Sequence, residues 1–206
     1  MSATVDFYFD FSSPYAYLGA TQIARVVDEA GGTLVWKPFL LGGVFKAIGA
    51  PMVPLNEMGP KKRAYNTVDM MRWADWHGVA LSWPTRFPMN TVKPLRIALA
   101  LDAPQAWISR VFRAYWAEDQ DISSPDVLAG LLDEMGMNAS LLEKTADPAI
   151  KMKLREATEA AVAAGVFGAP TSIVTHEGSG ERQLFWGQDR LEFVRRAVQG
   201  WSPTAS

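Results

Sequence analysis

An alternating apolar run, Val5 to Phe11, breaks off at Ser12-Ser13-Pro14, and a helical pattern begins at once with Tyr17, Leu18, Thr21, Ile23, Ala24 and Val27. The alternation reads as a buried strand and the spacing after it as a helix. Proline is tolerated in the first helical turn, and serine is a preferred cap just before it. Ser13 therefore sits where a strand gives way to a helix N-terminus. Free backbone N–H groups and the positive end of the helix dipole converge there. Such a place stabilises an anion, and a thiolate is one candidate. Spacing alone also allows the plainer reading, a helix cap and nothing more.

Strand, turn, reactive position and helix in that order resemble the opening of a thioredoxin-like fold. Redox members carry Cys-x-x-Cys at this turn. Here the four residues are Ser13-Pro14-Tyr15-Ala16, and the chain has no cysteine. It cannot carry out thiol–disulfide exchange by itself, so any sulfur must come with a ligand. Farther on, a helix ends near Gly165, a tight Gly168-Ala169-Pro170-Thr171 turn follows, and a strand starts. Trans is the default for an X-Pro bond; only the resemblance, which places a cis proline in this turn facing the first helix, makes cis the expectation for Pro170. Gln183 to Leu191 reads as a strand, a glycine turn at Gly187 and an acidic start to a final helix. Asp189 there is equally a helix cap and a ligand contact.

Six segments in order, from about residue 4 to residue 198, carry a closer likeness. They are Asp6 to Tyr15, Leu40 to Lys46, Arg72-Trp73-Ala74, Phe87 to Thr91, Val166 to Thr171 and Phe185 to Leu191. Together they resemble the 2-hydroxychromene-2-carboxylate isomerase family of the DsbA-like, kappa-class glutathione transferase group. The resemblance implies an α/β, thioredoxin-like fold whose βαβ and ββα halves flank a large all-helical insertion. The halves fall at residues 1–43 and 164–206 and the insertion at 44–163. Glutathione is the implied cofactor, and a homodimer the implied assembly. Ser13 would donate a hydrogen bond to the bound thiolate, and the backbone of Ala169, before Pro170, would pair with the tripeptide. Gln188 and Asp189 would hold its γ-glutamyl end, with Trp186 and Gly187 in the same binding turn and Lys62 as a further contact. Lys46 would hold the substrate carboxylate. Many relatives have asparagine where this chain has Ala50, and Asn56 is the candidate to replace it. Read alone, Lys46 and Lys62 are ordinary solvated lysines.

Trp73, Trp76, Trp83, Phe87 and Met89 cluster in sequence. Trp73 and Trp76 share a helix with Met70 and read as core. Trp83 and Phe87, held on a loop by prolines, read as pocket walls for a planar ligand. Asn90 reads as a cap. The segment Gly42 to Lys62, rich in Gly, Pro and Met, reads as a loop. Clear helix starts appear at Pro60, Asn90-Thr91, Pro104, Ser123-Ser124-Pro125, Asn138 and Asp147-Pro148. Strands are expected at Thr33 to Pro38, Thr171 to Thr175 and Gln183 to Trp186, with His176 at a hairpin tip and Trp201 to Ser206 as a frayed end.

The 206 residues suffice for one sizeable core, and a formal charge of −2 argues against a general nucleic-acid binder. No apolar run is long enough to span a bilayer and no signal peptide is visible, so a cytoplasmic protein is expected. The two histidines, His77 and His176, form no catalytic triad or metal pair. The expected reaction is reversible thiolate addition that interconverts 2-hydroxychromene-2-carboxylate and trans-o-hydroxybenzylidenepyruvate in aromatic hydrocarbon catabolism, with glutathione regenerated. Three alternatives stay open. One is a kappa-class transferase that consumes glutathione on electrophiles. Another is the same isomerisation on another aromatic intermediate. The third is a catalytically silent thioredoxin-fold binding module.

Overall fold

The computed structural model describes residues 3–203. A four-stranded sheet has the order β2-β1-β3-β4. Its first strand, β1, spans Ala3–Phe9, and β2 spans Thr33–Pro38. The two run parallel, joined by helix α1, Pro14–Glu29. Strand β3, Thr171–His176, pairs antiparallel with β1, and β4, Arg182–Trp186, pairs antiparallel with β3. A short 3-10 turn, Gln188–Arg190, leads into the last helix, Leu191–Val198. Between β2 and β3 every regular element is helical. Helices α2 to α8 are Leu41–Ile48, Pro60–His77, Val92–Ala100, Gln105–Trp116, Pro125–Glu134, Leu141–Lys144 and Pro148–Ala163, with a 3-10 turn at Pro54–Glu57. The last helix is α9.

The helical segment docks on the sheet through aromatic rings. Phe7, Phe9 and Phe11 are fully buried, and Phe9 and Phe11 meet Phe112 of α5 at 5.8 and 4.9 Å. Each such pair adds about 0.5–1.5 kcal/mol beyond its burial. At the end of α5, the Trp116 indole donates to the Phe11 carbonyl at 2.8 Å. The insertion is thus tied to the segment immediately before Ser13.

Four expectations are corrected. The stretch from Gly42 begins as helix α2, not loop. Its first N–H, from Leu41, is held at 2.8 Å by the Asp10 carboxylate, which compensates for the absence of a side-chain cap at Leu40. Gly43 belongs in that helix because α8 passes so close that a Cβ would stand 2.9 Å from the Thr158 methyl. Strand β1 ends at Phe9, because Asp10 turns its buried carboxylate onto Ser12 and Leu41. His176 is the buried last residue of β3, with Nε2 2.8 Å from the Ala197 carbonyl. Trp201 and Ser202 are tied to Gln183 and Glu181 rather than frayed, while residues 204–206 of the expected tail lie outside the described residues.

Candidate active site

Ser13 caps α1 and is nearly fully buried. Its Oγ accepts from the Ala16 N–H at 3.1 Å and donates to the Ala169 carbonyl at 2.8 Å. That second bond joins the N-terminus of α1 to the turn before β3, two points far apart in sequence. The Ala169–Pro170 bond is cis. Beneath Ser13, Asp10 accepts from the Ser12 N–H at 3.0 Å, and burial pushes its carboxyl above the ordinary carboxylate range. The Tyr15 N–H, in the first turn of α1, has no helical acceptor.

Ser13 opens onto a cavity of about 750 Å3. Its lining is mixed in chemistry. Lys62, Asn66, Asp69, Gln188, Asp189 and Arg190 supply charged and polar groups, and Tyr15, two residues after Ser13, feels the Asp69 and Asp189 carboxylates. Burial raises the Tyr15 phenol, and the Asp69 and Asp189 carboxylates add to that effect. Phe45, Ile48, Met52, Met70, Trp73 and Phe87 supply apolar walls. Trp186 stands half-exposed at the mouth, 5.0 Å from the Phe167 ring. Its indole fills the space a Cβ on Gly168 would take, so only glycine fits beneath it. Gly187 follows at φ 111°, a left-handed conformation that favours glycine.

The structure brings Ser13, Lys62, Ala169, Trp186, Gly187, Gln188, Asp189 and Phe87 to this one cavity. Pro170 lies next to it, buried behind Ala169. Three expected substrate contacts are not brought in. Lys46 is exposed in the last turn of α2, outside the lining, where its charge suits the negative helix end. Asn56 is exposed on the 3-10 turn, outside the lining; its main chain is engaged, the N–H donating to the Val53 carbonyl and the carbonyl accepting from Arg63. Trp83 stands behind Phe87, 4.9 Å away ring to ring, and does not reach the cavity. The core expectation for two tryptophans also fails: Trp76 is 80% exposed, and Trp73 lines the cavity and stacks on His77. Asp189 makes no cap; its carboxylate takes the Arg190 guanidinium at 2.7 Å.

A family model described as DSBA-like thioredoxin domain matches residues 4–199. The 2-hydroxychromene-2-carboxylate isomerase of Sphingobium xenophagum is 30% identical over 196 residues, which are 94% of this chain and 97% of that protein. The chain belongs to the DSBA-like thioredoxin domain family and, within it, to the 2-hydroxychromene-2-carboxylate isomerases and their kappa-class relatives. The human glutathione S-transferase kappa 1 is 28% identical over 205 residues, covering 93% of this chain and 88% of that one. A solved 2-hydroxychromene-2-carboxylate isomerase superposes with a TM-score of 0.78 at 29% identity, covering 95% of this chain and 94% of its own. A probable DsbA oxidoreductase from Streptomyces coelicolor shares the fold alone, with a TM-score of 0.73 at 17% identity.

The lining suits the tripeptide named in the kappa-class relatives. Glutathione carries carboxylates, an ammonium and a thiol. The lining contains Lys62 and Arg190 to match the first, Asp69 and Asp189 the second, and the α1 N-terminus with Ser13 the third. Asn66 and Asp69 escape a reading by motif. They stand four and seven residues after Lys62, the spacing of one helix face, and that periodicity is the signal that finds them.

Proposed function

We propose that this chain is a glutathione-dependent isomerase of the 2-hydroxychromene-2-carboxylate type, interconverting that compound and trans-o-hydroxybenzylidenepyruvate in aromatic hydrocarbon catabolism. The observation that carries the reading is Ser13. It stands where redox relatives of this fold carry cysteine, at the N-terminus of α1, against Ala169, on a cavity lined by both polar and apolar groups. A chain without cysteine, at such a place, is suited to hold a ligand's sulfur as an anion.

Bound glutathione supplies a sulfur nucleophile that adds to a conjugated carbon and leaves again, with no net change of oxidation state. The protein's part is to hold and orient. Ser13 turns its hydrogen from the Ala169 carbonyl into the cavity, while its oxygen keeps the Ala16 N–H. The Ala169 carbonyl, relieved of that donor, accepts from a ligand amide as an added strand would. The dipole of α1 lowers a thiol pKa from about 8.5. Asp189 and Gln188 face the γ-glutamyl group, and Lys62 a carboxylate. Phe87 and Trp73 confine the aromatic ring and exclude water. With Lys46 outside the cavity, the substrate carboxylate falls to the cations of the lining.

No helix among the described residues is long and apolar enough to cross a membrane. A cytoplasmic homodimer belongs to the same proposal, and light scattering tests its assembly. The deciding experiment for function follows substrate isomerisation with and without glutathione while assaying total thiol. Turnover that needs glutathione and leaves thiol constant is expected. Thiol lost in step with turnover assigns the chain to kappa-class conjugation, and glutathione binding without turnover to a silent binding module.

A further inference from the structure

Phe87 and the Pro88 after it are the cavity's only lining residues from the loop between α3 and α4 among the described residues. That loop has no secondary structure, yet it is pinned on both sides of Phe87. Before it, the Asp119 carboxylate accepts from the Thr85 N–H at 2.8 Å and from the Thr85 hydroxyl at 3.2 Å. Next to it, Arg86 pairs with Asp121 at 2.5 Å. After it, the Met89 N–H donates to the Tyr115 hydroxyl at 3.1 Å. Behind it, Trp83 and Trp116 pack on the Phe87 ring at 4.9 and 6.1 Å.

Asp119 is the unusual member. Its φ is 51°, a left-handed conformation rare for a residue with a side chain, and aspartate and asparagine tolerate it best. It is solvent-exposed and joins no ion pair among the described residues. An exposed carboxylate held in a costly conformation and directed at a loop amide adds little to global stability. Its effect falls instead on where the loop stands.

We propose that Asp119 is a positioning residue that fixes the Phe87 wall and so sets the width of the aromatic compartment. The proposal rests on the reading of this cavity as the isomerase site. Through that wall, Asp119 governs which planar substrates are held tightly. It touches neither the Ser13 end nor the glutathione contacts.

Three variants test it: Asp119→Ala, Asp119→Asn and Asp119→Gly. The readouts are KM and kcat for 2-hydroxychromene-2-carboxylate, KM for glutathione, melting temperature, and the affinity for the apolar fluorophore anilinonaphthalene sulfonate. Asp119→Ala should raise the KM for the aromatic substrate about fivefold and weaken the fluorophore similarly, the size of one net hydrogen bond. The kcat and glutathione KM should stay close to wild type, and the melting temperature should fall slightly in Asp119→Ala, which strains the left-handed backbone, but not in Asp119→Gly. Asp119→Asn keeps an acceptor oxygen and tolerates the left-handed backbone, so it should restore both values. Asp119→Gly relaxes the backbone without supplying an acceptor and should behave as the alanine variant does in KM and fluorophore affinity. Wild-type KM and fluorophore affinity in Asp119→Ala would overturn the proposal. So would an asparagine variant as impaired as alanine, or a glycine variant like wild type. If wild-type protein turns over no such substrate, the isomerase reading fails, while the fluorophore titration still decides whether Asp119 sets the wall.

Discussion

At the Ser13 end of the cavity, the critical contacts are made to main-chain atoms: the Ala16 N–H, the Ala169 carbonyl and the open first turn of α1. At the Phe87 end, the boundary is made of side chains, borne by α2, α3 and a loop tethered from α5 and the turn after it. The first end inherits its geometry from the register of β1 with β3, in which Tyr8 pairs with Thr171. A one-residue slip of that register would turn every side chain over, so this end is set by the fold itself. The second end depends on individual hydrogen bonds and ring contacts that single substitutions alter. Under the proposed function, the thiol contact is thereby tied to the sheet, while the aromatic wall is adjustable.

Substitutions that act on one end alone test that separation. The largest effect is expected from Ser13→Ala. Losing a hydrogen bond to a charged sulfur removes about 1.5–3 kcal/mol, so glutathione-dependent turnover should fall at least roughly tenfold. Loss of the cap should cost about 0.5–2 kcal/mol of stability, read by chemical denaturation. Undiminished turnover would detach the chemistry from the Ser13 end.

Next comes Tyr115, whose hydroxyl holds the loop at Met89. Burial, chiefly, pushes its phenol from 10.0 up to about 12. The folded state therefore keeps a proton that the unfolded chain releases, and stability from this group is complete below pH 10 and is lost as pH rises toward 12. Urea midpoints measured across that range should fall with pH in wild type and fall less in Tyr115→Phe. Equal slopes would show that Tyr115 does not carry the transition.

A smaller change is expected from Asp189→Asn. Asp189 is partly exposed and paired to Arg190, and such contacts are worth up to about 1 kcal/mol, so glutathione affinity by calorimetry should weaken no more than about fivefold. Melting should not move, because Asp189 caps nothing. Lost stability at constant affinity would return it to a purely structural role. The smallest effect belongs to Lys46→Ala. Its exposed position outside the cavity predicts substrate KM within about twofold of wild type. A large rise in KM would mean that α2 swings Lys46 inward when substrate binds, and would undo the division between the two ends.

The same division governs what can be read from the amino-acid sequence. Strand β2 and helix α3 run between the limits that turn and capping residues mark, at Thr33–Pro38 and Pro60–His77. The meeting of Ser13 with the turn before β3 is legible because each belongs to a short contiguous motif. The apolar end is not, because its residues are close only in space. Helix α2 hides behind two glycines, one of them explained only by the approach of Thr158. Its N-terminus is held by an aspartate some thirty residues earlier. Trp83 and Trp73 exchange their expected places because local sequence does not say which face of a loop or helix meets the cavity. Lys46 carries a motif but is exposed outside the lining of the cavity that motif suggests.

Strand β1 lies inside the sheet, with residues 4–9 paired to β2 and residues 3–8 to β3. On the ribosome its first partner follows after a single helix, while its second arrives only after the whole helical segment has been made. Throughout that interval one edge of β1 is an open row of amides and carbonyls, flanked by phenylalanines. The same delay leaves Ser13 without Ala169, so the nascent chain cannot close that contact until the helical segment is complete. A premature stop anywhere in the helical segment should therefore yield an adhesive, inactive product rather than a weakened enzyme.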